Sequence, residues 1–207
     1  RGRFLVETFD LNALVSEMVG LLKTSISKRV VLNVHLDPSI PPIRADPSQI
    51  RQVVMNLVIN ASEAIGDRSG TVTVRTGVTQ CERSYLEQVA LGTELPEGPY
   101  VVLEVADTGC GMDPATVARI FEPFYTTKFT GRGLGLSAVM GILRSHKGGI
   151  KVYTELGKGT LFKVLLPAST EPIEAEPQPA LDRVDYEGRR VLFVDDEEPV
   201  RTLAGRM

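Results

Sequence analysis

Apolar and polar residues recur along this chain with two different periods, which predict an order of helices and strands. A first helix is predicted behind an N-cap at Asp10, from apolar residues at helical spacing: Leu11, Leu14, Val15, Met18, Leu21 and Leu22. Residues 30–37 alternate apolar and polar, which predicts a strand. A second helix is predicted from Asp46-Pro47, an N-cap acid followed by proline, to about Ile65, just before Gly66.

The pattern of apolar and polar residues predicts further elements as far as Pro167. It predicts strands at about 71–79 and 100–107, a short helix from Asp113-Pro114 to Ile120, a helix that follows the glycine-rich stretch 131–135 and ends near His146, and a hairpin of strands 150–154 and 160–166. Residues 80–99 show no clear period, and we interpret them as an insertion loop.

The pattern changes after Pro167. Residues 167–187 hold four prolines, six acids and one base with little periodic apolar content, which is typical of a linker. A short apolar run, Val191–Val194, then ends in Asp195-Asp196 and predicts a new buried strand. We therefore expect a domain over 1–167, a linker over 168–187 and the opening strand of another domain over 188–207. We interpret both ends of the chain as boundaries within a longer protein.

Composition narrows the functional classes. The chain has 207 residues, 43% of them hydrophobic and 24% charged, as in ordinary globular proteins. A net charge of −3 argues against nucleic acid or anionic lipid as a partner. Two cysteines are too few for a disulfide framework, and no signal peptide or membrane-length apolar run is visible. We therefore expect this chain to be cytoplasmic and without membrane contact of its own, and we leave open a membrane anchor elsewhere in the full-length protein. Cys110 we expect to be a small buried filler.

Carboxamides line one face of the second predicted helix. Gln52, Asn56 and Asn60 are spaced four residues apart, so they share a face of the helix. Carboxamide oxygens are neutral ligands for Mg²⁺, which takes its other ligands from phosphates and water. A solvated polar stripe explains the same spacing equally well.

Two predicted strands carry polar side chains at their ends that could bind a ligand. Asp107 closes one strand and is followed by Gly109 and Gly111. A buried carboxylate there can accept the N–H of an aromatic amine, as in adenine, and the glycines let a ligand approach the backbone. Thr160, after Gly159, can place a hydroxyl near the base. Taken alone, the segment after Asp107 is more simply interpreted as a turn capped by that residue, and the segment at Thr160 as an ordinary hairpin.

A glycine-rich segment leads directly into the last predicted helix. Gly131, Gly133 and Gly135 expose backbone N–H groups at the start of that helix, an arrangement that favours phosphate, and Lys128 can add a positive charge. The spacing matches neither G-x-x-x-x-G-K-[ST] nor G-x-G-x-x-G. A flexible surface loop is the alternative interpretation.

Taken in order, these segments resemble the catalytic domains of histidine kinases, in the superfamily that also holds gyrase, chaperone and mismatch-repair ATPases. The sequence NLVINASEA resembles the N box of that family, DTGCGM its first glycine box, FEPFYTTK its F box and GRGLGLS its second glycine box. The resemblance covers about Phe4–Pro167. The later sequence RRVLFVDDEEPVR resembles the opening of a response-regulator receiver domain, so the whole resembles a hybrid histidine kinase.

The resemblance implies an α/β two-layer sandwich of the Bergerat type, with a mixed, mainly antiparallel sheet packed on one side by helices. It implies ATP and Mg²⁺ as cofactors, with Asn60 as the metal ligand, Asn56 beside it, and Asp107 on the adenine amine. Phe121, Phe124 and the segment to Thr130 would form a mobile lid. The implied ATP-binding residues are Asn60, Asp107, Gly109, Gly111, Thr126, Thr127, Lys128, Gly131, Gly133, Leu134, Gly135, Leu136 and Thr160, and the implied catalytic set is Asn56, Asn60 and Lys128.

The implied reaction moves the γ-phosphoryl of ATP to a histidine on a dimerisation domain of the same protein, with a receiver domain or response regulator as the next partner. His35 lies in a predicted strand and His146 at a predicted helix end, so we expect both to be structural. The isolated chain should then bind ATP without phosphorylating itself. Asp195 and Asp196 resemble the paired acids of receivers.

Three alternatives stay open from sequence alone. An ATP-hydrolysing relative would place a glutamate one turn before Asn60; Asn56 stands there, but Glu63 lies one turn after it. A non-catalytic nucleotide-binding module would keep the fold without the transfer reaction. A protein-interaction fragment would act through residues 168–207.

Overall fold

A mixed sheet with long helices on one face forms the body of the molecule. The computed structural model describes residues 5–89, 95–128 and 133–173. Its elements in chain order are β1 (Glu7–Phe9), α1 (Leu11–Ser25), β2 (Val30–His35), β3 (Ile43–Ala45), α2 (Pro47–Ile65), β4 (Gly70–Cys81), α3 (Arg83–Leu86), β5 (Gly98–Asp107), α4 (Pro114–Val117), α5 (Gly135–Ser145), β6 (Gly149–Glu155) and β7 (Gly159–Pro167). The strands β1 and β3 escaped prediction because three residues are too few to display a period.

Five strands form the main sheet in the order β2-β4-β5-β7-β6. Strands β2 and β4 run parallel, and the other neighbours are antiparallel. The register sets Asp107 at the end of β5 directly opposite Thr160 at the start of β7. This sheet, covered by helices, confirms the expected α/β sandwich and brings the two polar strand ends together.

The main core lies between the sheet and the helices α1, α2 and α5. Val101, Leu103 and Val105 point into it from alternate positions of β5. Helix α2 contributes a buried stripe at helical spacing: Ile50, Val53, Val54, Leu57, Val58, Ala61 and Ile65. Because that stripe faces the sheet, the carboxamides of α2 lie on a different side of the helix.

The insertion between β4 and β5 packs against the opposite face of the sheet, which the sequence-based interpretation as a loop did not anticipate. It forms α3 and a second apolar cluster: Cys81, Leu86, Val89, Leu95, Tyr100, Val102 and Leu165. The hydroxyl of Tyr100 donates to the carbonyl of Pro96 at 2.7 Å. Strand β5 is therefore buried on both faces, which explains its unbroken apolar run YVVL.

The N-terminus of α2 is fixed to the C-terminus of α5. Asp46 caps α2, since its carboxylate accepts the N–H groups of Ser48 and Gln49. The backbone N–H of Asp46 donates to Nε2 of the buried His146 at 2.9 Å, and Nδ1 of that ring lies 2.8 Å from the carbonyl of Ile142. These bonds support the expected structural role of His146. His35 lies exposed on β2.

The residues that directly follow Pro167 still contact the domain. Ala168 bridges to Ile43, the N–H of Ser169 donates to the carbonyl of Pro42 at 2.8 Å, and Glu171 pairs with Arg44 at 3.3 Å. The compact unit that contains the described residues extends to Glu174. The rest of the predicted linker, and the receiver-like segment 188–207, lie outside the described residues. Among those that are described, no helix is long and apolar enough to span a membrane.

Candidate functional site

A cavity of about 480 Å³ opens between α2, the joined ends of β5 and β7, and the residues before and after the segment 129–132. Its lining includes twelve of the residues named from sequence: Asn56, Asn60, Asp107, Gly111, Thr126, Thr127, Lys128, Gly133, Leu134, Gly135, Leu136 and Thr160. Gly109 does not line it, and Gly131 lies outside the described residues. Segments up to about 100 residues apart in sequence thus meet around one space.

One face of α2 forms a wall of the cavity. Asn56, Asn60 and Glu63 line it from successive turns. Nδ2 of Asn56 donates to the carbonyl of Gly135 at 3.3 Å, which joins this wall to the start of α5. Gln52, the first carboxamide of the row, is exposed and does not line the cavity.

Lys128 reaches this wall from the segment that follows α4. Its Nζ donates to Oδ1 of Asn60 at 3.4 Å and also forms an ion pair with the Glu63 carboxylate. The Lys128 side chain is 36% exposed and the Glu63 side chain 51%. The cation is therefore close to the carboxamide oxygen that the sequence suggested as a metal ligand.

Asp107 forms the buried acidic end of the cavity. Its Oδ1 accepts the N–H of Gly109 at 2.7 Å. Burial raises the pKa of Asp107 above 3.8, and the N–H groups of Gly109 and Thr160, with the charge of Lys128, oppose that rise. Thr160 is buried beside it, with its hydroxyl 3.0 Å from that of Thr154. The carboxylate is costly to keep charged there unless a ligand donates to it.

Two glycines after Asp107 are required by the protein's own backbone. A Cβ on Gly109 would lie 2.7 Å from the carbonyl of Ala64. A Cβ on Gly111, which has φ +65°, would lie 2.0 Å from the carbonyl oxygen of Glu155. Tight packing of this loop between α2 and the β6–β7 hairpin therefore accounts for both glycines, and it presents Gly111 to the cavity.

The N-terminus of α5 opens onto the cavity without a side-chain cap. Its N-cap residue, Leu134, makes no capping hydrogen bond, and Gly135 and Leu136 line the space. Uncapped N–H groups at the start of a helix attract anions through hydrogen bonds and the helix dipole. This end of the cavity is suited to phosphate.

The aromatic residues expected to form a lid have different environments. Phe124 is 75% exposed and has φ +67°, while Phe121 is half-buried against the core. Neither lines the cavity; the neighbouring Tyr125 does, with the Arg119 guanidinium 4.3 Å from its ring centroid. The backbone of Phe124 and Tyr125 fills the space beside Gly133 that a Cβ would need.

Several lining residues were missed. They are Ile59, Ala64, Met112, Thr116, Ile120 and Phe162, whereas Tyr125 belongs to the segment that was expected to form the lid. Most are apolar, and no sequence pattern distinguishes an apolar cavity wall from an apolar core. The expectation that Cys110 is a buried filler was wrong: it is exposed and lines the cavity, because the backbone of its loop, rather than its side chain, fills the space beside α2.

Comparisons with known proteins agree with this geometry. Residues 45–170 match the family model described as histidine kinase-, DNA gyrase B-, and HSP90-like ATPase. Sensor kinase CckA of Brucella abortus (strain 2308) is 36% identical over 94% of this chain and 21% of its own length. Sensory histidine kinase/phosphatase NtrB of Rhizobium meliloti (strain 1021) is 35% identical over 77% of this chain and 41% of its own length. The chain thus spans less than half of these relatives.

Solved structures give the same result. The catalytic domain of histidine kinase ThkA is similar with a TM-score of 0.61 and 28% identity, covering 81% of this chain and 97% of that one. Full-length ShkA in complex with AMPPNP is similar with a TM-score of 0.64 and 26% identity, covering 82% of this chain and 32% of that one.

Proposed function

The chain belongs to the family of histidine kinase-, DNA gyrase B- and HSP90-like ATPases, and from this premise we propose that it is the ATP-binding catalytic module of a sensor histidine kinase. The module transfers the γ-phosphoryl of ATP to a histidine on a dimerisation domain of the same protein. One observation carries the proposal: Asn60, Asp107 and the start of α5 line a single cavity.

Adenine occupies the end of the cavity at Asp107. A buried carboxylate whose pKa is raised by burial gains most from a ligand that donates hydrogen bonds, and the adenine amine is such a donor. Thr160 lies directly opposite in the sheet register and adds a hydroxyl at the same end. The apolar lining from Ile120 and Phe162 is suited to the faces of the base.

The phosphates lie at the other end, near α5. The uncapped N–H groups of Gly135 and Leu136 and the ammonium of Lys128 provide hydrogen-bond donors and positive charge on two sides. We assign Thr126 and Thr127, which also line the cavity, to the same end. Gly131 belongs to this phosphate-binding segment by sequence and lies outside the described residues.

Magnesium fits the donors at this end. Asn60 offers a carboxamide oxygen, and over the described residues no cluster of three or more His, Cys, Asp or Glu could hold a metal by itself. A site with few protein oxygens suits Mg²⁺, which keeps phosphate and water ligands. We propose that Asn60 holds it, with Asn56 orienting the start of α5. Bound there, the metal would neutralise charge on the phosphates.

Transfer to a protein histidine is favoured over ATP hydrolysis. Hydrolysis needs a carboxylate free to activate water. Asn56, which stands one turn before Asn60, is a carboxamide and cannot act as that base. The residues of the cavity position the nucleotide and stabilise charge, which is the protein's main contribution to phosphoryl transfer.

The histidine that accepts the phosphoryl group lies outside this chain. We expect γ-labelled ATP to leave His35 and His146 of the isolated chain unlabelled, because His146 is buried and hydrogen-bonded and His35 lies on a strand away from the cavity. With the dimerisation domain of the same protein supplied separately, label should appear on its histidine, and Asn60→Ala should reduce that label by about 100-fold or more. Mass spectrometry of the labelled peptides measures both results. Robust label on His35 or His146 would contradict the proposal.

The neighbours of this module are proposed from sequence. The segment 188–207 begins a receiver domain, with Asp195 and Asp196 as its paired acids, so the full protein is a hybrid kinase that signals to that domain or to a response regulator. A cytoplasmic location agrees with the free thiols of Cys81 and Cys110.

A further inference from the structure

Glu63 and Lys128 form an ion pair across the opening of the cavity. Glu63 lies one turn beyond Asn60 on α2, and Lys128 lies on the segment just after Tyr125, Thr126 and Thr127. The same Lys128 ammonium touches both the Glu63 carboxylate and Oδ1 of Asn60. The ion pair therefore joins the segment 125–128 to the helix that carries the two asparagines.

The ammonium occupies the space in front of the Asn60 oxygen. An ammonium can only donate hydrogen bonds, so the atom of the Asn60 carboxamide that faces Lys128 must be its oxygen. A divalent metal needs that same oxygen. Lys128 and the metal therefore compete for Asn60, and a nucleotide that brings the metal must displace the lysine from it.

We propose that Glu63 is a positioning residue that acts through Lys128. In the free protein Glu63 holds Lys128 over Asn60; when the magnesium nucleotide arrives, Lys128 leaves Glu63 and Asn60 and pairs with the phosphates. The inference rests on the proposed function, since it assumes a magnesium nucleotide in this cavity. Both side chains are partly exposed, so the pair is weak and exchanges readily for a phosphate partner.

This role differs from two others that a glutamate here could have. A general base for water would need its carboxylate free in the nucleotide complex and would affect turnover without affecting affinity. A direct metal ligand would strengthen binding, so its loss would weaken affinity. A residue that holds Lys128 in the free state opposes binding, so its loss strengthens affinity.

Zero-length carbodiimide cross-linking tests the contact directly, because it joins a carboxylate and an amine only where they touch. We expect a Glu63–Lys128 amide in the nucleotide-free chain, detected by mass spectrometry of the digested protein, and at least a fivefold loss of it with saturating Mg·ADP. Glu104 and Lys163, 3.4 Å apart on the opposite face of the sheet, provide an internal reference that nucleotide should not change. Glu63→Gln should abolish the first cross-link and keep the second.

Calorimetry on the same proteins provides the second readout. Glu63→Gln should bind Mg·ADP about twofold to fivefold more tightly than the wild type, the range expected for loss of a partly exposed ion pair. The inference is overturned if the Glu63–Lys128 cross-link is absent while the reference forms, if bound Mg·ADP leaves it unchanged, or if Glu63→Gln binds more weakly. Failure of the wild type to bind Mg·ADP at all would instead overturn the proposed function.

Discussion

Replacing Asp107 by asparagine is expected to weaken Mg·ADP binding by about 10- to 100-fold, the loss typical of a hydrogen bond to a charged acceptor in a buried site. The carboxamide of the variant would keep one oxygen to accept the N–H of Gly109, as Oδ1 of Asp107 does now. Its N–H₂ group would then face the adenine amine, so two donors would oppose each other where the wild type pairs a donor with an acceptor.

The same substitution should stabilise the nucleotide-free protein by about 1 kcal/mol at neutral pH. Burial raises the pKa of Asp107 above its ordinary value of 3.8, so in the interval above 3.8 the folded state binds a proton more readily than the unfolded state. The contribution of Asp107 to stability therefore falls as the pH rises through that interval. At neutral pH the wild type carries the cost of a buried charge, which the N–H groups of Gly109 and Thr160 and the charge of Lys128 offset only in part, and asparagine removes that cost.

Calorimetric titration and urea unfolding of the two proteins check both effects. The exposed Asp67 offers a matched control, because Asp67→Asn removes the same charge at a site far more accessible to water. It should leave affinity unchanged and stability nearly so. The difference in stability between wild type and Asp107→Asn should shrink as the pH is lowered toward 3.8. Unchanged affinity in Asp107→Asn would refute our assignment of the adenine end.

Replacing Gly111 by alanine is expected to cost about 3 kcal/mol or more of folding free energy. Part of the cost is strain, since alanine is poorly suited to φ +65°, and such conformations cost about 1–3 kcal/mol. The rest is overpacking, because the new Cβ would lie 2.0 Å from the carbonyl oxygen of Glu155, and backbone cannot rotate away as a side chain can.

A substitution at Gly157 measures the backbone strain without the overpacking. Gly157 has φ +79°, but a Cβ there would meet nothing within 4 Å. Gly157→Ala should therefore cost only the strain, about 1 kcal/mol. Urea unfolding midpoints of the two variants measure the difference. Equal losses of folding free energy in the two variants would mean that the backbone at Glu155 can move aside at no cost. Glycine would then be needed at position 111 only for its positive φ.

Much of the fold could be predicted from the sequence because local sequence signals agree with the tertiary structure. Helix α2 is the clearest case: its capping acid, its proline, its apolar stripe and its final glycine all mark the same boundaries. The hairpin of β6 and β7 likewise followed from two strand-like segments on either side of a glycine-containing turn. The short strands β1 and β3 have no such signal, since they exist only because they pair with each other.

Site residues could be predicted from the sequence where residue type and spacing together indicate a function. They could not be predicted where tertiary packing determines which side chains face the cavity. The row of carboxamides pointed to Asn56 and Asn60, yet gave no reason to leave out Gln52, which is exposed because the cavity begins one turn later. The pairing of Glu63 with Lys128 joins residues distant in sequence, so no local pattern contains it. Gly109 and Gly111 were both expected to face a ligand; neighbouring backbone already requires a glycine at each position, and of the two Gly111 lines the cavity.

We propose that Asn60, Asp107 and the start of α5 together bind one magnesium–adenine nucleotide. Calorimetric titration of the wild-type chain with Mg·ADP and with Mg·GDP tests it most directly. The two ligands share phosphates and ribose, but guanine presents a carbonyl oxygen where adenine presents its amine, and that oxygen would be repelled by the Asp107 carboxylate. We expect Mg·ADP to bind at least about tenfold more tightly than Mg·GDP. No binding of Mg·ADP, or equal affinity for the two nucleotides, would contradict it.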